Sequence, residues 1–429
     1  MDSYHKRTLN TRQLQPQTLM MGYGYDTALS EGAIKAPIFQ TSTFVFDKAE
    51  DGKEFFAVTY GLKEQDPDNP RGLIYSRINN PNCEILEDRL SVWDAAEKGL
   101  VFSSGMAAIS NTMMALSRPG DIIVHSAPVY GGTEYLLHKL LPEYGITAKA
   151  ILPTMTLEEV ETVLRQADEE AQGRGGRLSV VHLETPSNPT NTMMDIEGIA
   201  KIAHSLQRGE HRPAVSVDNT FLGPVFQHPL NHGADYVLYS LTKYVGGHSD
   251  VVGGACLGSA EAIAKVAGLR TIMGTIMDPH TSWMMCRSLE TLDIRMRRSA
   301  ENALAITKML NDHSKVEKVL SLSNLDPNSE QGRIYAKQCT GAGSTFSFLL
   351  KGGEAEAYRF LNALKVVKLA VSLGGTESLA SHPASMTHAD YSDEAKVKYG
   401  VSDNLVRVSI GIEDVEDLIA DLEQALDHV

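Results

Sequence analysis

Lys243 is the residue around which a reaction can be built. It closes the run from Tyr236 to Lys243, in which Tyr236 to Tyr239 reads as a buried strand and Ser240-Leu241-Thr242 brings two hydroxyls up to the amine. An ammonium is costly to bury unpaired, so a lysine at such a strand end is pushed toward its neutral form. A neutral amine can attack a carbonyl and form a Schiff base. Three more apolar runs end in polar residues. Ser103-Ser104-Gly105-Met106 leads into a helical pattern, Ala107 to Leu116, whose first N–H groups could hold an anion. Ser216-Val217-Asp218-Asn219-Thr220 puts Asp218 at a strand mouth, where it could pair with a cationic ring nitrogen or cap the next turn. Glu184-Thr185-Pro186-Ser187-Asn188-Pro189 presents Asn188 on a loop stiffened by two prolines.

An anion cup, a carboxylate, an amine and an amide donor suit pyridoxal phosphate, with its phosphate, pyridine nitrogen, aldehyde and ring oxygen. Open parallel sheets bind ligands outside the carboxyl ends of their strands, so these four ends must converge there. The elements fit that demand. Short apolar runs recur at Gly99 to Phe102, Asp121 to His125, Thr147 to Leu152, Leu178 to Leu183, Ala214 to Val217 and Tyr236 to Tyr239. Helical patterns lie between them, as in Thr156 to Ala171, where Leu157, Val160, Val163 and Leu164 share a face. The alternation predicts an α/β fold with a mainly parallel sheet. A single long helical stretch is expected from Asp278 to Leu310, then a smaller mixed region with a strand at Ser344 to Leu350 and a last helix from Val415 to His428. Residues 1–80, interrupted by Gly22, Gly24, Pro37, Pro67 and Pro70 and bounded by Pro81, read as an arm, followed by a large domain over 81–290 and a small one over 291–429.

The chain has 429 residues and a formal charge of −15, a field that repels nucleic acid and anionic lipid. No run approaches the roughly 20 apolar residues of a membrane span. Met1 to Gln17 carries Lys6, Arg7 and Arg12 with no apolar stretch behind them, so no secretory signal is expected and the protein reads as cytoplasmic. The four cysteines, Cys83, Cys256, Cys286 and Cys339, show neither disulfide nor zinc spacing. No metal site is expected either: His228 and His232 flank Pro229, and His248 and Asp250 lack a third ligand.

The ordered motifs Tyr75-Ser76-Arg77, Ser104-Gly105-Met106-Ala107-Ala108, Glu184 to Pro189, Val217-Asp218-Asn219-Thr220, Ser240 to Tyr244, Ser372-Leu373-Gly374-Gly375, His382 to His388 and Val406-Arg407 resemble those of a family. It is the family of pyridoxal-phosphate enzymes of cysteine and methionine metabolism, and the likeness runs from about Pro37 to the final helix. The resemblance implies a fold-type I, aspartate aminotransferase-like architecture with a smaller α+β C-terminal domain. Lys243 is similar to the lysine that holds the cofactor and moves protons, and Asp218 to the partner of the ring nitrogen. Gly105, Met106, Ser240 and Thr242 match phosphate contacts, and Tyr130 matches the tyrosine stacked on the ring. Arg407, with Asn188 and Ser372 nearby, matches the site of the substrate carboxylate. Tyr75 and Arg77 resemble a pair that crosses from a neighbouring subunit, implying a dimer that commonly doubles to a tetramer.

Within this resemblance the reaction expected is γ-elimination from a sulfur amino acid, giving a thiol, 2-oxobutyrate and ammonia. The alternatives are γ-replacement on an activated homoserine and cystathionine γ-cleavage. Gly132 stands where methionine γ-lyases usually carry a cysteine, which tells against that activity. Val371 stands where cystathionine enzymes often carry a glutamate for the distal ammonium, which favours a γ-substituent without one. Glu54 to Arg71 looks longer than in typical relatives and could reshape the mouth of the site.

Overall fold

A computed structural model describes residues 3–64, 72–389 and 391–429. The last part of the long Glu54 to Arg71 stretch, 65–71, lies outside the described residues; its first part forms the end of a helix, α1 (Ala49–Thr59). The six expected strands are β1 (Lys98–Phe102), β2 (Ile122–Ser126), β3 (Thr147–Ile151), β4 (Leu178–Glu184), β5 (Ala214–Asp218) and β6 (Tyr236–Ser240). A seventh, β7 (Gly254–Gly258), was not expected from its Gly-Ala-Cys-Leu-Gly sequence. It lies antiparallel between β1 and β6, giving the order β1-β7-β6-β5-β4-β2-β3. A Cβ on Gly254 would stand 2.1 Å from the Ser104 carbonyl oxygen, so the strand passes a neighbouring turn too closely for a side chain.

Alternation along the strands explains why both faces of the sheet are covered. Val181 and Leu183 of β4 enter a core with Val160 and Leu164 of α3 (Leu157–Gly173) and Ile199 of α4 (Ile196–Ser205), while Val180 enters an opposite core. That second core is closed by Ile109 of α2 (Gly105–Leu116) and Ile263 of α5 (Ala260–Met273). α3 starts at Thr156, whose Oγ1 accepts from the Glu159 N–H at 3.3 Å while the Glu159 carboxylate accepts from the Thr156 N–H at 2.7 Å. Such a reciprocal cap is worth about 1 kcal/mol.

The long helical stretch divides into α6 (Pro279–Leu289) and α7 (Leu292–Asp312). Leu292 and Met296 of α7 belong to the core of the large sheet, whereas Ala303, Ile306 and Leu310 belong to the core of the smaller one, so this helix spans both. The smaller sheet, β8 (Val316–Leu320), β9 (Thr345–Leu350), β10 (Lys368–Leu369), β11 (Leu379–Ser381) and β12 (Leu405–Ser409), is ordered β8-β9-β12-β11-β10. Near the N-terminus, Leu19, Met20, Tyr23 and Tyr25 pack into the large core, while Leu29, Ile34 and Val45 stay exposed. Among the described residues, no helix is long and apolar enough to cross a membrane.

Candidate active site

The ends of β1, β4, β5 and β6 open on one cavity of about 320 Å³, lined among others by Gly105, Met106, Tyr130, Asn188, Asp218, Ser240, Thr242, Lys243, Ser372 and Arg407. At the end of β1, the Ser104 hydroxyl accepts from the Ala107 N–H at 3.0 Å and starts α2. The N–H groups of Gly105 and Met106, at the first turn, remain for an anion. A Cβ on Gly105 would come within 2.9 Å of the Ser240 Cβ, so this helix start sits hard against the end of β6. Thr242 Oγ1, beside it, is fixed by accepting from the Gly253 N–H at 3.0 Å.

Asp218, at the end of β5, is oriented by Thr220, whose N–H at 3.0 Å and hydroxyl at 2.6 Å both donate to Oδ1. Oδ2 is thereby left for a donor in the cavity. The Thr220 oxygen in turn accepts from the Ser240 N–H at 2.9 Å, tying β5 to β6. Burial holds the Asp218 carboxyl above its ordinary range, a cost that a cationic ring nitrogen would offset.

Lys243 Nζ donates to Ser372 Oγ at 2.9 Å. Burial, then the Arg407 charge, lowers its pKa to about 8, so roughly a tenth of the amine is already neutral at pH 7. The backbone after it is held by Arg295 of α7, which donates to the carbonyl oxygens of Tyr244 at 2.7 Å and Val245 at 3.2 Å. Arg407 comes from β12. Its Nη1 donates to Asn188 Oδ1 at 3.0 Å and its Nη2 to the Ser372 carbonyl at 3.1 Å. With Oδ1 thus engaged, the Asn188 amide offers its N–H bonds to a ligand. Burial lowers the pKa of Arg407 to about 10, which leaves it cationic.

Glu184 is a component that sequence reasoning placed in a motif but gave no role. Its Oε2 accepts from the Tyr130 N–H at 2.7 Å and its Oε1 from the Asn188 N–H at 3.1 Å, so one buried carboxylate sets two walls of the cavity. It faces Asp218 across β4 and β5, and burial followed by that neighbour raises its pKa. A glutamate closing a mainly apolar strand, Leu178-Ser179-Val180-Val181-His182-Leu183, was the available signal. Val252, Phe221 and Thr387 also line the cavity and were not foreseen. Tyr75 and Arg77 are not among its lining residues; Tyr75 is exposed and Arg77 donates to the Thr271 carbonyl at 2.7 Å.

These residues fit pyridoxal phosphate: a glycine-walled helix start with two hydroxyls for the phosphate, a buried carboxylate with one oxygen uncommitted for the ring nitrogen, and a weakly basic lysine for the aldehyde. A mixed seven-stranded sheet that presents them at its strand ends describes the fold-type I class of such enzymes. Residues 17–427 match the family of Cys/Met metabolism PLP-dependent enzymes, and the chain belongs to it. It is 40% identical over 401 residues to an L-methionine gamma-lyase of Fusobacterium nucleatum subsp. nucleatum, covering 93% of this chain and 94% of the relative. It is 38% identical over 415 residues to a cystathionine gamma-synthase of Mycobacterium bovis, covering 96% of both. The crystal structure of cystathionine gamma synthase from Xanthomonas oryzae pv. oryzae in complex with aminoacrylate and cysteine superposes with a TM-score of 0.84 at 34% identity, over 96% of this chain and 98% of that one. The protein is therefore an enzyme whose cofactor is pyridoxal 5′-phosphate, of a family that performs γ-elimination and γ-replacement on amino acids.

Proposed function

We propose that the enzyme eliminates the γ-substituent of a sulfur amino acid such as methionine, releasing a thiol, 2-oxobutyrate and ammonia. The observation that carries this reading is the apolar wall formed by Val371, Leu373 and Val252 beside Lys243 and Ser372, which offers a thioether contact and no carboxylate for a distal ammonium. Arg407 grips the α-carboxylate as a fork, with Asn188 and Ser372 keeping it aimed. The bound cofactor supplies an aldehyde that condenses with amines and a protonated ring that stabilises negative charge at Cα. Lys243, anchored through Ser372 and of lowered basicity, takes and returns protons at the substrate carbons. Tyr130, at the head of its helix with its backbone fixed by Glu184, would stack on the cofactor ring and assist proton transfer near the leaving group.

Gly132 favours a second reading, γ-replacement on an activated homoserine. A Cβ there would lie 2.7 Å from the Tyr130 ring and 3.0 Å from the Met106 sulfur, so this tyrosine packs where a cysteine would have to stand. The holoenzyme should be incubated with methionine, homocysteine, cystathionine and O-acetylhomoserine, with and without an added thiol. Release of 2-oxobutyrate from methionine supports elimination; thioether products alone transfer the assignment to replacement.

We further propose residues 1–80 as an arm to a second copy, ahead of a large domain over 81–290 and a small one over 291–429. The exposed Leu29, Ile34 and Val45 and the placement of Tyr75 and Arg77 outside the chain's own cavity support that arrangement. The arm would carry Tyr75 and Arg77 to the partner's cofactor phosphate in a dimer, paired again into a cytoplasmic tetramer.

A further inference from the structure

Behind the helix that follows Tyr130, His125, Glu134 and His138 bring one ligand atom each to within 4.8 Å of one another. His125 is buried near the end of β2. Glu134 belongs to the short helix Gly131–Tyr135 and His138 to the π-helical turn Leu136–Leu140 that continues it. Widened turns of this kind often mark functional sites. Here the turn sets the Glu134 Oε1 3.7 Å from the His138 Nε2.

The His125 ring is already oriented as a ligand. Its Nδ1 lies 2.8 Å from the Ser126 carbonyl oxygen, which can only accept, so Nδ1 holds the proton and Nε2 presents a lone pair. Donation of the other ring N–H to a carbonyl is the usual outer contact of a metal-binding histidine. The lone pair faces His138 Nε2 at 2.8 Å, a separation at which two imidazole nitrogens need a proton or a cation between them. A proton joins only the two rings, whereas a divalent cation engages both nitrogens and the carboxylate together.

We propose that His125 Nε2, His138 Nε2 and the Glu134 carboxylate bind one divalent transition-metal ion, with Zn²⁺ the ion best matched to two imidazoles and a carboxylate. Tetrahedral bonds of about 2.0–2.1 Å put two ligand nitrogens roughly 3.3 Å apart, so the rings need only a small separation to admit it. The side chains of His138 and Glu134 are 36% and 23% exposed, which opens a path from solvent and leaves room for water as a fourth ligand. The ion ties the helix that begins beside Tyr130 to the end of β2, outside the cavity where the reaction occurs. No bond of a substrate is made or broken by it.

Holoenzyme stripped with a chelator should be dialysed against micromolar Zn²⁺ and its metal content measured, alongside His138→Ala, Glu134→Gln and Cys339→Ser variants. The expected result is one zinc per chain, lost in His138→Ala, weakened about tenfold or more in Glu134→Gln and retained in Cys339→Ser. X-ray absorption should give nitrogen and oxygen neighbours without sulfur. Retention of cofactor absorbance and circular dichroism identifies folded variants, and Glu134→Gln carries the test if His138→Ala fails to fold. Absence of stoichiometric zinc in the parent enzyme, uptake unaffected by either substitution, or a sulfur ligand overturns the site.

Discussion

Arg407→Lys tests the carboxylate site most sharply. The guanidinium reaches Asn188 and the Ser372 carbonyl through different nitrogens, at 3.0 and 3.1 Å, while its fork remains able to meet a carboxylate. Lysine keeps the charge but has a single nitrogen, so it cannot hold both anchors and also make two parallel bonds to the substrate. Losing one charge-assisted hydrogen bond costs about 1.5–3 kcal/mol, which is a fall in kcat/KM of roughly 10- to 150-fold. The assay compares two ligands of the holoenzyme: the amino acid it turns over best, and the same molecule without its carboxylate, whose binding is followed by the change in cofactor absorbance. The first should lose the full factor and the second should bind as it does to the parent enzyme. Equal losses for both ligands, or a loss below about threefold for the amino acid, would refute the assignment of Arg407 to the carboxylate.

Three further outcomes follow from the same geometry. The lowered basicity of Lys243 means that its amine is largely cationic below pH about 8 and neutral above it; the rate at which apoenzyme recaptures pyridoxal phosphate should rise through that pH, being at pH 7 about one-tenth of its plateau, and a flat profile would count against Lys243 as the capturing amine. Glu184 is more easily protonated folded than unfolded, so its contribution to stability is present at low pH and is lost as pH rises through its raised folded pKa. Glu184→Gln should therefore flatten the decline of apoenzyme Tm above the ordinary carboxylate range, and an unchanged slope would contradict the burial argument. Val371→Glu should improve kcat/KM for cystathionine relative to methionine, because a carboxylate on the cavity wall can meet the distal ammonium; no change in that ratio would place the γ-substituent elsewhere.

Six strands of the large sheet and their polar ends were legible because short apolar runs and strand-end hydroxyls are local signals. The features that escaped depend on contacts between residues distant in sequence. Gly254 must be glycine because of Ser104, and the strand it begins carries no periodic pattern of its own. The halt at Glu290-Thr291 between α6 and α7 is announced by neither glycine nor proline. Leu19 to Tyr25 sits amid turn residues and still packs on the large core, through partners such as Arg89, whose Nε donates to the Tyr23 carbonyl at 3.1 Å.

The same distinction separates the two clusters of reactive side chains. Gly105, Asn188, Asp218 and Lys243 each stand at a strand end or within four residues beyond one, so the sheet itself brings them together once its order is known. Glu184 shows what sheet order alone leaves open: two backbone N–H groups, one of them on a residue 54 positions away, converge on its carboxylate and set the aim of Tyr130 and Asn188. His125, Glu134 and His138 need a strand, a short helix and a π-helical turn to meet, and no single periodicity contains all three. Tyr130 lies between the clusters, its backbone held by Glu184 and its helix leading into the histidine pair. Zinc uptake and the Arg407 assay therefore probe independent sides of one structural unit: the first can fail while the carboxylate site stands, and the reverse holds equally.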